Sequence, residues 1–353
     1  MNATGAGDDI PGVDLGALRD WMDVRGLGRG PLTEIEALAG GTQNVLVRFR
    51  RGGQGYVLRR PPVHKRRNSD ETMRREARVL GALAGTDVPH PRLIAAEPDT
   101  AVLGAAFYLM EPVTGFNPSV GLPPLHAGDP GLRHRMGIAL AEAAAALGEV
   151  DHEAVGLGDF GRPEGYLERQ VPRWWAHLES YGELDGYPGP RIPHLERVRD
   201  WLEVNRPAAW TRGILHGDLH LANVLYRLDG PELAAVVDWE LATIGDPLVD
   251  LGLLVAFWPD ESGELGPVTV QPWEGFPTAA EMVAAYRERS SRDTTAVDWY
   301  AVLACYRTGI ILEGTNARAH AGLAPREVGD LLHATTVRLF EKAARLIAAA
   351  GDT

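Results

Sequence analysis

Pro112 separates two kinds of sequence, and that contrast constrains the fold more than any other feature. Before it, residues 34–38, 45–50 and 55–60 read as short strand-type runs, punctuated by the turn-forming pairs Gly40-Gly41 and Gly52-Gly53. Residues 70–84 switch to helical period, with Met73, Ala77, Leu80 and Leu83 on one stripe, and residues 14–26 do the same through Leu15, Leu18 and Met22. Two further apolar segments lie at 92–95 and 107–111. The first part therefore reads as a small antiparallel sheet carrying one inserted helix. Beyond Pro112 the spacing predicts helices at 131–149, 194–205, 278–291, 296–314 and 325–350. The exception is a strand pair, 223–226 and 234–238, turning through Asp229-Gly230. Pro and Gly cluster at 117–131 and 182–193, as in surface connections. The pattern predicts an α+β chain with a sheet-rich lobe over 1–111 and a large helical lobe over 112–353, joined near 111–114 at the floor of a cleft.

Composition removes several function classes. The 353 residues carry a formal net charge of −13, which argues against nucleic-acid binding, since that needs a basic surface to displace counterions. A single cysteine, Cys305, excludes an internal disulfide framework and a cysteine-based zinc cluster. The start of the sequence, with Asp8 and Asp9 ahead of any apolar run, does not read as a signal peptide. The longest apolar stretch, 241–258, is interrupted by Asp246 and Asp250, so no membrane span or membrane partner is expected and the setting reads as cytoplasmic. Lysine occurs only at 65 and 342, so 33 of the 35 basic residues are arginine. Roles that usually fall to lysine must here be filled by arginine or by one of those two.

Residues 215–223 read Leu215-His216-Gly217-Asp218-Leu219-His220-Leu221-Ala222-Asn223, and Asp238 follows within Val236-Val237-Asp238-Trp239-Glu240. A carboxylate and an amide five positions apart thus lead into a hairpin that ends in a second carboxylate. Magnesium takes hard oxygen ligands in octahedral array, few from protein and the rest from water or phosphate. The Asn223 amide oxygen and the Asp238 carboxylate meet that need. Asp218 is then left to orient an attacking hydroxyl and accept its proton. Another assignment stays open at this point: His216, Asp218 and His220 alternate along the chain and, with Asp238, could ligate zinc or iron as in a metallohydrolase.

Asp-x-x-x-x-Asn, then a hydrophobic hairpin and Asp, resembles the catalytic and metal loops of the eukaryotic-type kinase superfamily. His-Gly-Asp-Leu-His-x-x-Asn, with Asp-Trp-Glu and Gly245-Asp246-Pro247-x-x-Asp250-Leu251, resembles the aminoglycoside phosphotransferase family in particular. The resemblance extends over roughly residues 34–320. It implies a two-lobed protein-kinase-like fold, Mg²⁺ and ATP (or GTP) as cofactors, and transfer of the γ-phosphoryl group to the hydroxyl of a small molecule. A catalytically inactive, nucleotide-binding pseudokinase or regulatory module is the alternative within that fold.

Such a mechanism places demands on the first lobe. Gly40-Gly41-Thr42-Gln43-Asn44 suits a loop over the nucleotide phosphates, with Gly41, Thr42 and Asn44 as contacts, because glycine lets the backbone approach closely and amides donate to phosphate oxygens. In Tyr56-Val57-Leu58-Arg59-Arg60, strand alternation puts Val57 and Arg59 on one face. The resemblance makes Arg59 the phosphate-gripping cation, where protein kinases have lysine, and Glu76 on the inserted helix its carboxylate brace. Met110, Glu111 and Val113 fit the hinge that pairs with the purine through backbone groups.

The acceptor site is less legible. Asp246 and Asp250 resemble residues that brace the catalytic segment. The run Gly161-Arg162-Pro163-Glu164-Gly165-Tyr166, continuing to Trp174-Trp175, together with Leu58-Arg59-Arg60-Pro61-Pro62, is similar to the branch related to kinase domains fused to acyl-CoA dehydrogenases. That branch implies a hydroxyacyl-CoA or hydroxy-acid acceptor; the wider family implies an aminoglycoside-like one. Trp174, Trp175, Trp258, Trp273 and Trp299 read as core more readily than as a pocket lining. Residues 64–67, with Arg74 and Arg75, read as a solvated basic surface. Tyr306, Arg307 and Glu313 share a helix whose spacing does not say which of them points inward.

Overall fold

The computed structural model describes residues 10–38, 44–260, 262–264 and 266–351. Gly41 and Thr42, expected over the phosphates, lie outside the described residues. In chain order the elements begin with α1 (Leu15–Val24), β1 (Thr33–Ala37), β2 (Val45–Arg51), β3 (Gln54–Arg60), α2 (Ser69–Ala82), β4 (Leu93–Glu97) and β5 (Phe107–Met110). There follow α3 (Pro124–Gly128), α4 (Pro130–Glu149), α5 (Gln170–Ser180), α6 (Leu195–Val204), β6 (Gly213–Leu215), β7 (Val224–Tyr226), β8 (Leu233–Val236) and β9 (Thr243–Gly245). The last are α7 (Leu248–Phe257), α8 (Ala279–Arg289), α9 (Val297–His320) and α10 (Arg326–Ala350). Two compact units result: one takes the chain up to Thr114 and again Ala234–Glu240, the other Gly115–Leu233 and everything from Leu241.

In the first unit the strands pair antiparallel in the order β1-β2-β3-β5-β4. The alternation that marks a half-covered strand is plain in β2, where Val47 and Phe49 are buried while Arg48 and Arg50 are exposed. Gly52 and Gly53 turn β2 into β3 at φ 56° and 84°, a conformation that costs glycine nothing sterically. Helix α1 starts where the Asp14 side chain accepts the Ala17 N–H at 2.9 Å. Its Leu18, Trp21 and Met22 join Val47, Phe49, Tyr56, Leu58 and Leu109 in one core. Burying each such side chain contributes about 1.5–3 kcal/mol, so this face of the sheet is sealed. Arg59, out of phase with Tyr56 and Leu58, is left on the other face beside α2.

The second unit is mostly helical. All ten residues of α7 are buried, and this explains why no helical stripe is visible there in the sequence: a helix covered on every side has no polar face to set a period. Gly252 permits the close crossing with α9, since a Cβ there would lie 2.4 Å from the Tyr300 backbone carbon. The α7 C-terminus is held by buried Lys342 of α10, whose Nζ donates to the carbonyls of Val255, Ala256 and Trp258. Helix α9 runs on to His320, beyond the expected end at 314, before a short turn into α10. The antiparallel pair β6–β9 was too short to be read from sequence. Trp258 and Trp299 are core residues, the former packed edge-on against Trp273 at 5.1 Å.

Candidate active site

In the first unit, register decides which groups meet. Arg59 stands opposite Tyr108 across β3 and β5, so both side chains leave the same face toward α2. Glu76, only 1% exposed, pairs with the Arg59 guanidinium (Nε to Oε2, 2.8 Å), accepts from Arg59 Nη2 at 3.3 Å and accepts the Tyr108 hydroxyl at 2.7 Å. The other side of the guanidinium reaches Asp238, with Nη2 2.6 Å from Oδ1. Asp238 follows β8 in the left-handed region at φ 67°, which aspartate tolerates better than most residues, and the Trp239 Nε1–H on the Val236 carbonyl (3.0 Å) ties down the turn. Glu76, Asp238 and Glu240 offer carboxylate oxygens within 4.8 Å of one another, the one such group of metal-binding side chains among the described residues. Hard oxygen donors of this kind fit magnesium.

Electrostatics follow from that crowding. Burial works against the Arg59 charge, but Glu76, then Tyr108 and Asp238, outweigh it and hold the proton more firmly than on a free arginine. Burial pushes Glu76 up to about 7, against the pull of Arg59 and of the Tyr108 hydrogen bond.

The hinge residues end the same sheet. Met110 pairs with both Val57 and Leu93. The Glu111 N–H is spent on the Arg92 carbonyl at 2.9 Å, and its side chain pairs with Arg92. Val113 is half-buried, as is Asn44 at the entrance to β2.

In the second unit the segment from His216 to Asn223 is held peptide by peptide. Gly217 takes φ 82° with its α-carbon against the Leu241 carbonyl, and a Cβ would approach that oxygen to 2.8 Å. Asp250 accepts the N–H groups of His216 and Gly217 through separate oxygens, and Arg307 donates to the Gly217 carbonyl. Burial raises Asp250 to about 6 despite those two N–H donors. Asp246 has a different task from Asp250, accepting the Leu248 N–H at the head of α7 at 3.1 Å and the Tyr300 hydroxyl of α9.

Two histidines organise the loop internally. His216 Nδ1 accepts from the Asp218 N–H and His220 Nδ1 from the Ala222 N–H, both at 3.2 Å. With Nδ1 accepting, the His220 proton sits on Nε2, 3.4 Å from Asp218 Oδ2. Asn223 Nδ2 donates to that same oxygen and to the Asp218 carbonyl, each at 2.9 Å. Asp218 Oδ2 is thereby engaged twice while Oδ1 has no hydrogen-bond partner among the described residues. Crowding around Asp218 favours the neutral acid, but His220, with Arg307 and His216, outweighs it and holds the carboxyl down at about 2. Because the Asn223 amide nitrogen is committed, its remaining polar atom is the oxygen, the donor a hard cation takes. The Nδ1 atoms of His216 and His220 are both spent on backbone, which disfavours the zinc or iron assignment.

Sequence reasoning named Arg59, Glu76, Asp218, Asn223 and Asp238 but missed the roles of Tyr108, His220 and Arg307. Of these only His220 left a usable signal, its place on the same loop two residues after Asp218.

Comparison with known proteins bears on the family and the fold. The chain is 30% identical over 304 residues to acyl-CoA dehydrogenase family member 11 of Gallus gallus, covering 83% of this chain and 38% of that protein. It is 32% identical over 294 residues to "Probable acyl-CoA dehydrogenase IBR3" of Arabidopsis thaliana, covering 78% and 35%. The chain thus spans little more than a third of these curated relatives. A crystal structure from Ralstonia eutropha JMP134, titled a "putative aminoglycoside phosphotransferase", superposes with TM-score 0.77 at 31% identity, covering 94% of this chain and 98% of that one. The GDP complex of aminoglycoside 2'-phosphotransferase-IIIa shares the fold at TM-score 0.62 and 16% identity. Among the described residues no helix is long and apolar enough to cross a membrane. With the model of the phosphotransferase enzyme family, APH, matching residues 34–300, the chain belongs to that family and has its kinase-like fold.

Proposed function

We propose that the chain is an ATP- or GTP-dependent O-phosphotransferase that moves the γ-phosphoryl group onto the hydroxyl of a small molecule. The observation that carries this reading is the state of Asp218: an ionised carboxylate with Oδ2 fixed by His220 and Asn223 and Oδ1 left to accept from a substrate hydroxyl. A carboxylate held that far down is a weak base, so its main contribution is to orient the hydroxyl, and the proton moves late. In this reading Asn223 and Asp238 hold Mg²⁺, Arg59 braced by Glu76 holds the phosphates, and Gly41, Thr42 and Asn44 cover them. The Glu111 carbonyl and the Val113 N–H, beside Met110, take the purine edge, since the Glu111 N–H is already spent. Bound Mg·nucleotide supplies the phosphoryl group and the charge neutralisation that a loose in-line transfer needs. Residues 1–111 carry most of the nucleotide contacts and 112–353 the hinge Val113, the catalytic loop and the acceptor contacts, and the reaction runs in the cytoplasm, where such nucleotides are abundant.

The surroundings of the loop favour an anionic acceptor. Arg307 and Arg173 flank the Trp174 ring at 5.7 and 5.1 Å, and Arg307 also reaches the Gly217 carbonyl. Cations suit a hydroxy acid or hydroxyacyl-CoA and repel a polycationic aminoglycoside. The relatives named as acyl-CoA dehydrogenases point the same way. The test is a mass-spectrometric and ³¹P screen of hydroxyacyl-CoAs, hydroxy acids, sugars, choline-like alcohols and aminoglycosides with Mg·ATP and Mg·GTP. A phosphorylated hydroxyacyl-CoA or hydroxy acid is expected. No phosphorylated product from any hydroxyl would sink the assignment, and aminoglycoside products alone would reverse the acceptor class.

A further inference from the structure

Arg59 spans two carboxylates. Its Nε lies 2.8 Å from Glu76 Oε2 and its Nη2 2.6 Å from Asp238 Oδ1. The Glu76 contact is deeply buried, whereas the Asp238 side chain is 39% exposed, so the second contact is the one that can be exchanged. The Asp238 carboxylate that accepts Arg59 is also one of three whose oxygens lie close enough together to hold a divalent cation, and a guanidinium and a metal ion drawn to one carboxylate repel each other.

We propose that Arg59 and the divalent cation compete for Asp238, so that metal alone and nucleotide alone each bind poorly and the two bind with positive coupling. Triphosphate oxygens draw Arg59 off Asp238, and the freed carboxylate takes the metal. Metal on Asp238 in turn releases Arg59 to the phosphates. By linkage each ligand strengthens the other by the same factor. Glu76 keeps its hold on Arg59 in both arrangements, so the cation swings about a fixed anchor and is never left unpaired. This device rests on the phosphotransferase reading, because it assumes that Arg59 serves the nucleotide and Asp238 the metal, but it requires no acceptor and no turnover.

Three variants, measured by calorimetry and by Mn²⁺ electron paramagnetic resonance, test it with the full chain. Arg59→Gln should bind Mn²⁺ without nucleotide roughly tenfold more tightly than the wild type, the opposite of what removing a mere structural brace would do. The double variant R59Q/D238N should lose that gain, which assigns it to Asp238 and not to an unpaired Glu76. Asp238→Asn, which leaves the Arg59–Glu76 pair intact, should bind ADP in EDTA several-fold more tightly than the wild type, yet bind Mg·ADP more weakly. Unchanged or weaker Mn²⁺ binding by a folded R59Q, persistence of the gain in the double variant, or unchanged metal-free ADP binding by D238N overturns the competition. A wild type that bound neither Mg·ADP nor Mg·ATP would overturn the nucleotide reading itself. Normal Mg·ADP binding with any of the contrary variant results would overturn the competition alone.

Discussion

Asp250 holds the turn before Asp218 through two backbone groups at once, its Oδ2 2.6 Å from the His216 nitrogen and its Oδ1 2.8 Å from the Gly217 nitrogen. Both donors lie in a turn outside helix and strand, and Asp250 is only 1% exposed. Replacing Asp250 by alanine strands both N–H groups in a buried turn. The expected loss is about 3 kcal/mol of stability, read from denaturant midpoints, with a larger proportional loss of turnover than of nucleotide affinity. A variant as stable as the wild type would show that the turn holds itself.

Asp218→Asn preserves shape and removes the charge. Phosphoryl transfer should fall about 10³-fold while Mg·nucleotide affinity stays within a few-fold, since Asp218 is assigned to the hydroxyl and not to the phosphates. Turnover near the wild-type rate in a single-turnover assay would take Asp218 out of the chemistry.

The depressed Asp218 carboxyl also has a sign in the pH dependence of stability. Held at about 2 when folded and near 3.8 otherwise, it binds fewer protons in the native than in the unfolded state between those values. Its contribution is therefore present above the unfolded value and disappears as pH falls through about 2. The exposure of its side chain screens part of the effect. Urea titrations at descending pH should show Asp218→Asn losing less stability across that window than the wild type. Equal slopes would mean that His220 and Asn223 do not favour the ionised form. It also follows that an acid limb of turnover near neutrality belongs to another group.

At Gly252 two effects oppose. Alanine is the better helix former by about 1 kcal/mol, but a Cβ there would stand 2.4 Å from the Tyr300 backbone, a neighbour that cannot swing aside. Overpacking of this kind costs about 1–3 kcal/mol, so the clash wins and Gly252→Ala should lower the thermal midpoint. A raised midpoint would mean that α7 and α9 separate easily.

What could be read from the chain alone was local. Strand alternation in β2 and β3, the glycine turn between them, and the stripes of α1 and α2 are written within windows of about ten residues, because a half-buried element must alternate at its own period. Asp218, His220 and Asn223 lie on a single loop, so their chemistry is legible from spacing. The burial of α7 was hidden for the converse reason: its apolar run has no polar face, and only the helices packed around it reveal what it is.

Tertiary structure decided the rest, because hydrogen bonds depend on distance in space while sequence records distance along the chain. The resemblance offered Asp250 as a brace, but nothing near Gly217 announces that Asp250 accepts its N–H or that Arg307 donates to its carbonyl. Strand register, not proximity in sequence, sets Tyr108 across from Arg59 and brings its hydroxyl to Glu76. Residue types and periods determined which groups the protein owns. Packing determined that Arg59 closes on Asp238 and that one oxygen of Asp218 is fixed while the other stays open.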